Sequence, residues 1–201
     1  MRRVVITGVG VVSSIGANAD AVAASLKAGR SGVVFAPEYA ELGFKCQVHA
    51  RPPVNPADHV DKRAMRFMGE GAGWCYMAME QAIADAGLAP DEVSHERTGL
   101  IVGTGGPSTE AIVTAADVTR EKGPRRVGPF AVPKAMSSTG SATLATPFKI
   151  KGLNYSISSA CTTSLHCMGA AAEQIAWGKQ DVMFAGGGEE LAWSLSNLFD
   201  A

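Results

Sequence analysis

The chain has 201 residues, of which 46% are hydrophobic, 6% are aromatic and 23 are glycine. This mix favours an α/β domain with a sizeable core and excludes a disordered or disulfide-rich chain. The formal net charge of -1 gives no overall attraction to nucleic acid or membranes, and "MRRVVITGVG" lacks the apolar stretch of a signal peptide, so we expect a cytoplasmic protein.

The first half of the chain predicts a strand and two helices around an irregular stretch. The β-branched run "RRVVITG" indicates a buried strand that ends at Gly8. The segment "ADAVAASLKAGRSG" predicts a helix with Val22, Leu26 and small alanines on one side and Gly29 as its end. Residues 34–61 contain four prolines and little periodicity, which is typical of a covering excursion. A long helix is predicted over 65–86, and the glycines in its first half indicate close approach of a neighbouring backbone.

The second half predicts three more strands, "RTGLIVG", "LNYSISSA" and "DVMFAGGG". Residues 107–149 are predicted to be an insertion that contains a basic loop and one short helix. The helix after "LNYSISSA" carries Leu165, Met168, Ala172 and Ile175 at helical spacing, which predicts one apolar stripe. Strands that alternate with helices predict right-handed crossovers and a mainly parallel sheet.

Two glycine-rich segments are similar to phosphate-binding loops but depart from them. In "GVGVVS", Ser13 stands where the dinucleotide fingerprint has its third glycine, and no acidic strand end follows about 20 residues later. The segment "GTGGPS" lacks the lysine of a P-loop. Both segments are more simply tight strand exits, so no nucleotide cofactor is predicted.

Cys161 lies at the predicted junction of a strand and a helix. At a helix start, unpaired backbone N–H groups and the helix dipole favour a thiolate and can hold an oxyanion. The polar residues Thr162, Thr163 and Ser164 follow it in the first turn. Two interpretations remain open at this point: a catalytic nucleophile, or a buried structural cysteine of the kind common in protein cores.

No metal site and no catalytic base are predicted within the chain. The four cysteines show no CxxC spacing, so reduced thiols are expected rather than a zinc site. His166 is about 140° around the helix from Cys161 and points away from it, and Cys167 lies on the far side and is expected to pack in the core. The other histidines fall in irregular stretches without recognisable spacing; they are His49, His59 and His95.

With these residues laid out, the sequence resembles the β-ketoacyl-[acyl carrier protein] synthases of fatty-acid biosynthesis, in particular the type I elongating enzymes. The matching segments are "VVITGVGVVSSIG", "MEQAIADAGL", "ATPFKIKGLNYSISSACTTSLHC" and "GKQDVMFAGGGEEL", and they span the whole chain. The resemblance implies an α/β, thiolase-like fold in which two similar halves pack in five layers. This chain corresponds to the N-terminal half, so residues 1–201 are expected to form one N-terminal thiolase-like domain.

The resemblance also implies roles for particular residues. Cys161 falls on the family's nucleophile, which takes the acyl group from its carrier as a thioester. The substrate pocket is expected to include Gly106, Met136, Ala160 and Phe199. Gly106 stands where the related type II enzymes carry a bulky isoleucine, which favours type I. No cofactor is implied, because the acyl groups arrive on the phosphopantetheine of acyl carrier protein.

The family resemblance implies two further associations. The strand before Cys161 is expected to pair with its twin in a homodimer, so that Met136 reaches the partner's acyl pocket. The family's two catalytic histidines and its lysine belong to a C-terminal half that is not in this sequence. We therefore expect either a fragment or a chain that a second polypeptide complements.

Two basic segments, "DKRAMR" and "TREKGPRR", form a candidate docking surface for the acidic carrier protein. The residues proposed to contact it are Lys62, Arg63, Arg66, Arg125 and Arg126. The alternative is that they are solvated loop charges of the kind common on protein surfaces. Nucleic-acid binding is less favoured, because no aromatic residues are interleaved with the cations.

The sequence leaves two other function classes open. Without the histidines, the chain could be a non-catalytic binding module. A thiolase-type enzyme that uses coenzyme A shares the fold, but its cysteine context differs from "SSACTTS".

Overall fold

A parallel sheet of three strands organises the structure, a computed structural model that describes residues 1–201. The strands of the protein are β1 (Val34–Phe35), β2 (Val48–His49), β3 (Thr98–Gly103), β4 (Asn154–Tyr155) and β5 (Val182–Gly187). In the main sheet β3 lies between β4 and β5 and runs parallel to both. β1 and β2 form a separate antiparallel ribbon within the predicted excursion. The predicted mainly parallel α/β architecture is confirmed.

Ten α-helices surround these strands, and none of them is both long and apolar enough to cross a bilayer. They are α1 (Ala19–Lys27), α2 (Pro37–Glu41), α3 (Lys62–Met65), α4 (Glu70–Ala86), α5 (Pro90–Val93), α6 (Thr109–Lys122), α7 (Ala131–Ala135), α8 (Thr139–Ala145), α9 (Thr163–Ala176) and α10 (Trp193–Asp200). The region 107–149 thus contains three helices rather than one, and α8 packs on β3.

The core lies on both faces of β3, because alternate residues of a strand point to opposite faces. Leu100 and Val102 pack with Met68, which lies just before α4, and with Leu144 of α8. On the opposite face Ile101 packs against α9 through Cys167 and Ala171. β3 is therefore buried between two helical layers, and its carboxyl end is held in place from both sides.

The glycines of α4 allow the close backbone contact that the sequence predicts. A Cβ on Gly71 would lie 2.9 Å from the Glu189 carbonyl carbon, and a Cβ on Gly73 would lie 2.6 Å from the Pro56 ring. The helix itself starts at Glu70 rather than at residue 65, because Gly69 is extended and interrupts the helical path after α3. Gly87, in the left-handed conformation, ends α4 as predicted.

The predicted buried strand at the N-terminus is wrong. Residues 1–12 pair with no strand, and Ile6 is 82% exposed. The segment lies instead along α4, where the amides of Val9 and Val11 donate to the side chains of Asp85 and Gln81. A β-strand forms only where its backbone can hydrogen-bond to a neighbouring strand. No strand lies beside residues 1–12, and the outer edge of β5 is also left unpaired.

A charge cluster fixes the start of this segment. Arg2 and Arg97 both contact the carboxylate of Asp181, which directly precedes β5. Hydrogen bonds from Arg97 and then from Arg2 hold the pKa of Asp181 well below its usual range. These side chains, together with a hydrogen bond from the Arg2 amide to the Ala176 carbonyl, attach the N-terminal segment next to β5 without sheet pairing.

The predicted apolar stripe of α9 is not the side of the helix that packs on the sheet. Leu165 is 66% exposed and Met168 is exposed as well, whereas Thr163, Cys167 and Ala171 face the sheet. The helix is apolar on both sides, so hydrophobic spacing alone does not identify the side that packs on β3. The same holds for α1, where Leu26 is exposed and Ser25 is buried and donates to the Ile15 carbonyl.

Leu144 and Leu26 provide a matched test of this core. Leu144→Ala removes a fully buried side chain between α8 and β3, and we expect it to lower the free energy of unfolding by about 2–5 kcal/mol. Leu26→Ala removes an exposed leucine from α1 and should change it by less than about 0.5 kcal/mol. Urea unfolding monitored by circular dichroism measures both free energies of unfolding. Equal decreases for the two variants would contradict the burial of Leu144 and the exposure of Leu26.

Candidate active site

Cys161 lies in a tight turn between β4 and α9, and its side chain is exposed. The turn is closed by hydrogen bonds from the amides of Thr162 and Thr163 to the carbonyls of Ser159 and Ala160, at 3.0 and 3.1 Å. The Ser159 amide donates back to Thr163 Oγ1 at 2.8 Å. Ala160 has φ of +47°, a left-handed conformation that is strained for a residue with a Cβ. Strain of this kind is typical of functional sites, and here it presents the thiol outward.

The first turn of α9 provides hydrogen-bond donors next to Cys161. The backbone N–H groups of Ser164 and Leu165 have no acceptor within the chain, as expected for the start of a helix. α9 continues for 14 residues, so the positive end of its dipole also lies there. These features allow an oxyanion to be bound at this position.

The other three cysteines are in different environments. Cys167 is fully buried against β3, as predicted, and burial raises the pKa of its thiol. Burial, together with the charge of Glu189, raises the pKa of Cys75 to about 12. Cys46 is exposed, beside the carbonyl of Val48. Cys161 alone combines exposure with a helix start.

No histidine is hydrogen-bonded to Cys161. His166 is exposed on α9, and His95 accepts a hydrogen bond from the amide of Arg97 through Nδ1. His49 packs edge-on against Tyr39. The structure also contains no group of three or more His, Cys, Asp or Glu side chains that could hold a metal ion.

The exit of β3 passes directly over the Cys161 turn. A Cβ on Gly103 would lie 2.7 Å from Thr163 Cγ2, and one on Gly105 would lie 3.0 Å from the Ala160 carbonyl oxygen. Gly106 differs, because the nearest atom to a Cβ there is Leu195 Cδ1, at 3.9 Å. The structure thus places Gly105, the neighbour of Gly106, against Ala160 and leaves open space beside Gly106.

The other two predicted pocket residues are less enclosed. Phe199 is on α10 and is 83% exposed, and Met136 is half-buried at the end of α7. α10 is tied to the rest of the chain at its two ends. Ser194 donates to Thr109 Oγ1, and Asp200 accepts from the amides of Lys45 and Cys46 at 2.7 Å.

Two acidic residues after β5 belong to this region and were not identified from the sequence. Glu189 accepts hydrogen bonds from the Gly105 amide and from Thr104 Oγ1. Glu190 accepts from the Glu70 amide and so caps α4. Their position directly after a predicted parallel strand could have identified them, since ligands of open α/β sheets bind outside the carboxyl ends of the strands.

The five predicted docking cations lie on two neighbouring segments. Lys62, Arg63 and Arg66 are in or directly after α3, and Arg125 and Arg126 are in a short 3₁₀ turn after α6. The rings of Phe67 and Phe130 join the two segments in an edge-on contact with centroids 5.1 Å apart. None of the five cations forms an ion pair within the chain.

A cleft of about 350 Å³ opens beside these two segments, between residues 65–70, α6 and residues 127–134. Its apolar lining includes Met65, Met68, Val118, Val127 and Phe130, and none of the five cations lines it.

Comparisons with known proteins identify relatives over the whole chain. A family model described as "Beta-ketoacyl synthase, N-terminal domain" matches residues 1–200. The "3-oxoacyl-[acyl-carrier-protein] synthase 1" of Haemophilus influenzae is 52% identical over 202 residues, covering 100% of this chain and 50% of the relative. The protein of the same name from Escherichia coli K12 is 51% identical over 203 residues, with the same coverage.

A solved structure gives the same result. The crystal structure of a β-ketoacyl synthase from Burkholderia phymatum superposes with a TM-score of 0.88 at 33% sequence identity, covering 100% of this chain and 50% of that one. The chain therefore spans about half the length of the relatives that it matches.

The environments of the four cysteines predict an order of alkylation by iodoacetamide near pH 8. Cys161 should react fastest, because it is exposed next to free helix amides, and Cys46 second. Cys75, with a pKa of about 12, and buried Cys167 should stay unlabelled while the protein is folded. Peptide mapping by mass spectrometry measures the order. Faster labelling of Cys46 than of Cys161 in the wild type would contradict it.

Proposed function

The chain belongs to the β-ketoacyl synthase family, and on this premise we propose that it supplies the nucleophile of a condensing enzyme that elongates fatty acyl chains. It has the thiolase-like α/β fold of that family. The observation that carries the proposal is the exposed Cys161 in a strained turn before α9. In the proposed domain organisation, residues 1–201 form the N-terminal half and 107–149 is its insertion.

In the proposed reaction an acyl group is transferred from the phosphopantetheine thiol of acyl carrier protein to Cys161. The thiolate attacks the thioester carbonyl, a new thioester forms at sulfur, and the carrier thiol leaves. Malonyl carrier protein then loses carbon dioxide, and the resulting carbanion attacks the acyl-enzyme. Cys161 leaves as a thiolate, and the product is a ketoacyl carrier protein two carbons longer. No separate cofactor takes part.

The free amides of Ser164 and Leu165 support a first role for the chain, in binding the oxyanion of the acyl transfer. The space beside Gly106 supports a second role, as the entrance to the acyl pocket. We place Ala160, Met136 and Phe199 along that pocket, with Met136 reaching the partner subunit. The second step needs a base and enolate stabilisation, which we assign to two histidines of the C-terminal half.

The exposed apolar surfaces support association with a C-terminal half. The outer side of α9, with Leu165 and Met168, is exposed, as are Val5 and Ile6 of the N-terminal segment. Apolar surface of this extent marks an interface. We therefore define the complete synthase as this chain together with the C-terminal half, in one polypeptide or in two.

The free edge of β4 supports the proposed homodimer. β4 pairs with β3 on one side only, and both of its residues are exposed. An unpaired strand edge readily adds another strand, and pairing with a second copy also protects it from aggregation.

The two basic segments support docking of an acidic carrier protein, since their five cations have no partner within the chain. Apolar residues of the cleft beside them would contact the carrier's apolar side chains. Such a surface acts mainly on the rate of association and is sensitive to salt.

Charge reversal tests the docking surface in the complete synthase. Arg63→Glu with Arg66→Glu, or Arg125→Glu with Arg126→Glu, should raise KM for acyl carrier protein about tenfold at low salt. The activity with an acyl-pantetheine thioester should not change, because that substrate needs no docking. Lys27→Glu, at the end of α1, is the matched control and should leave the kinetics with both substrates unchanged. Equal losses with both substrates would argue against this surface.

Reconstitution tests the shared active site. The isolated chain should release no carbon dioxide from malonyl carrier protein, whereas co-expression with the C-terminal half of the Haemophilus influenzae relative should restore release and condensation. The Cys161→Ser chain with the same half should form no acyl-enzyme.

Light scattering of the complex should give two copies of each half. Turnover by the isolated chain would support a base of its own, and a single copy of each half would contradict pairing at β4.

A further inference from the structure

Glu189 links the end of β5 to the exit of β3. Its carboxylate accepts hydrogen bonds from the backbone amide of Gly105 and, at 3.0 Å, from the hydroxyl of Thr104. Thr104 is buried, and its hydroxyl also lies 2.6 Å from the carbonyl of Gly106. A hydroxyl has only one hydrogen to donate, so it can bond to Glu189 or to the Gly106 carbonyl at any moment.

The loop that Glu189 holds rests on the Cys161 turn. A Cβ on Gly105 would lie 2.9 Å from Glu189 Oε1 and 3.0 Å from the Ala160 carbonyl oxygen, so Gly105 fills the gap between them. The Ala160 carbonyl also accepts the Thr163 amide at 3.1 Å. It is thus enclosed by the Gly105 backbone and by the first turn of α9. The strained φ of Ala160 persists only if its surroundings hold it in place.

We propose that Glu189 is a positioning residue, which holds the loop of residues 104–106 against the Ala160 turn. In doing so it sets the orientation of the Cys161 thiol and the width of the opening beside Gly106. The proposal rests on the proposed function, since it assumes that Cys161 receives the acyl group. Glu189 acts through the loop and forms no hydrogen bond with Cys161, so it is not assigned a proton transfer.

The chemistry of the two donors predicts which substitutions should preserve this role. Glutamine has one acceptor oxygen for the Gly105 amide, and its NH₂ group can donate to Thr104 Oγ1. The Thr104 hydroxyl then turns to the Gly106 carbonyl, which is already within reach. Leucine has a similar volume but no acceptor, so the Gly105 amide would lose its partner and the loop would be free to move.

The test compares Glu189→Leu and Glu189→Gln in the complete synthase. Two rates are measured by mass spectrometry in a single turnover: acylation of Cys161 by acyl-pantetheine thioesters of 6 to 14 carbons, and its alkylation by iodoacetamide. Glu189→Leu should slow acylation roughly ten- to a hundredfold, the effect of a displacement of about 1 Å at a reacting group. It should also change the order of preference among chain lengths. Glu189→Gln should stay within about threefold of the wild type.

Asp85→Asn is the matched control, because Asp85 also accepts a hydrogen bond from a backbone amide, that of Val9, but does so at the end of α4 and not at the loop. It should leave both rates unchanged, even if the melting temperature falls. Wild-type acylation rates and chain-length order in folded Glu189→Leu would overturn the proposal and leave Glu189 a structural residue.

A second variant covers the case in which Glu189→Leu does not fold. Thr104→Val removes only the hydroxyl and should slow acylation in the same direction by a smaller factor; an unchanged rate would overturn the proposal. Failure of the proposed function has a different signature, because Cys161→Ser would then still form an acyl-enzyme.

Discussion

Three backbone segments meet at the carboxyl end of the sheet at distances that leave no room for side chains, and the position of Cys161 depends on this contact. A Cβ on Gly187 would lie 2.8 Å from both the Gly103 carbonyl oxygen and Ser164 Oγ. Gly103 in turn lies against Thr163, in the same first turn of α9. The ends of β3 and β5 therefore pack directly under the start of α9, and the turn that carries the thiol cannot move without moving the sheet.

The same contact explains why the strongest sequence signals were also the reliable ones. The strands "RTGLIVG" and "DVMFAGGG" end in glycines that the close approach requires, and the cysteine between "SISSA" and α9 falls where the chain has to turn. The glycines of α4 were predicted correctly for the same reason, since Gly71 meets the backbone of residues 189 and 190. These predictions succeeded because a glycine signals close backbone approach whichever segment of the chain supplies the neighbour.

The predictions that failed concern surfaces whose partners the sequence does not specify. The run "RRVVITG" has the composition of a strand, but its neighbours are side chains of α4 and the charge of Asp181. The stripe of Leu165 and Met168 on α9 has the correct spacing, yet Cys167 and Ala171 on the other side face the sheet. Glu189 was missed because its role depends on Gly105 and Thr104, more than 80 residues away in the chain. Periodicity identifies an apolar surface but not what covers it.

Under the proposed function, the two halves of the fold carry out different steps of the reaction. This chain contains what acyl transfer requires: an exposed thiol, a strained turn that presents it, and free helix amides for the oxyanion. Carbanion formation from malonyl carrier protein needs a proton acceptor and enolate stabilisation, and no histidine of the chain is hydrogen-bonded to the thiol. The apolar outer side of α9, which begins two residues after Cys161, is where a second half would have to pack. Burying that surface would therefore bring the missing groups to the nucleophile, so that assembly and completion of the active site would be a single event.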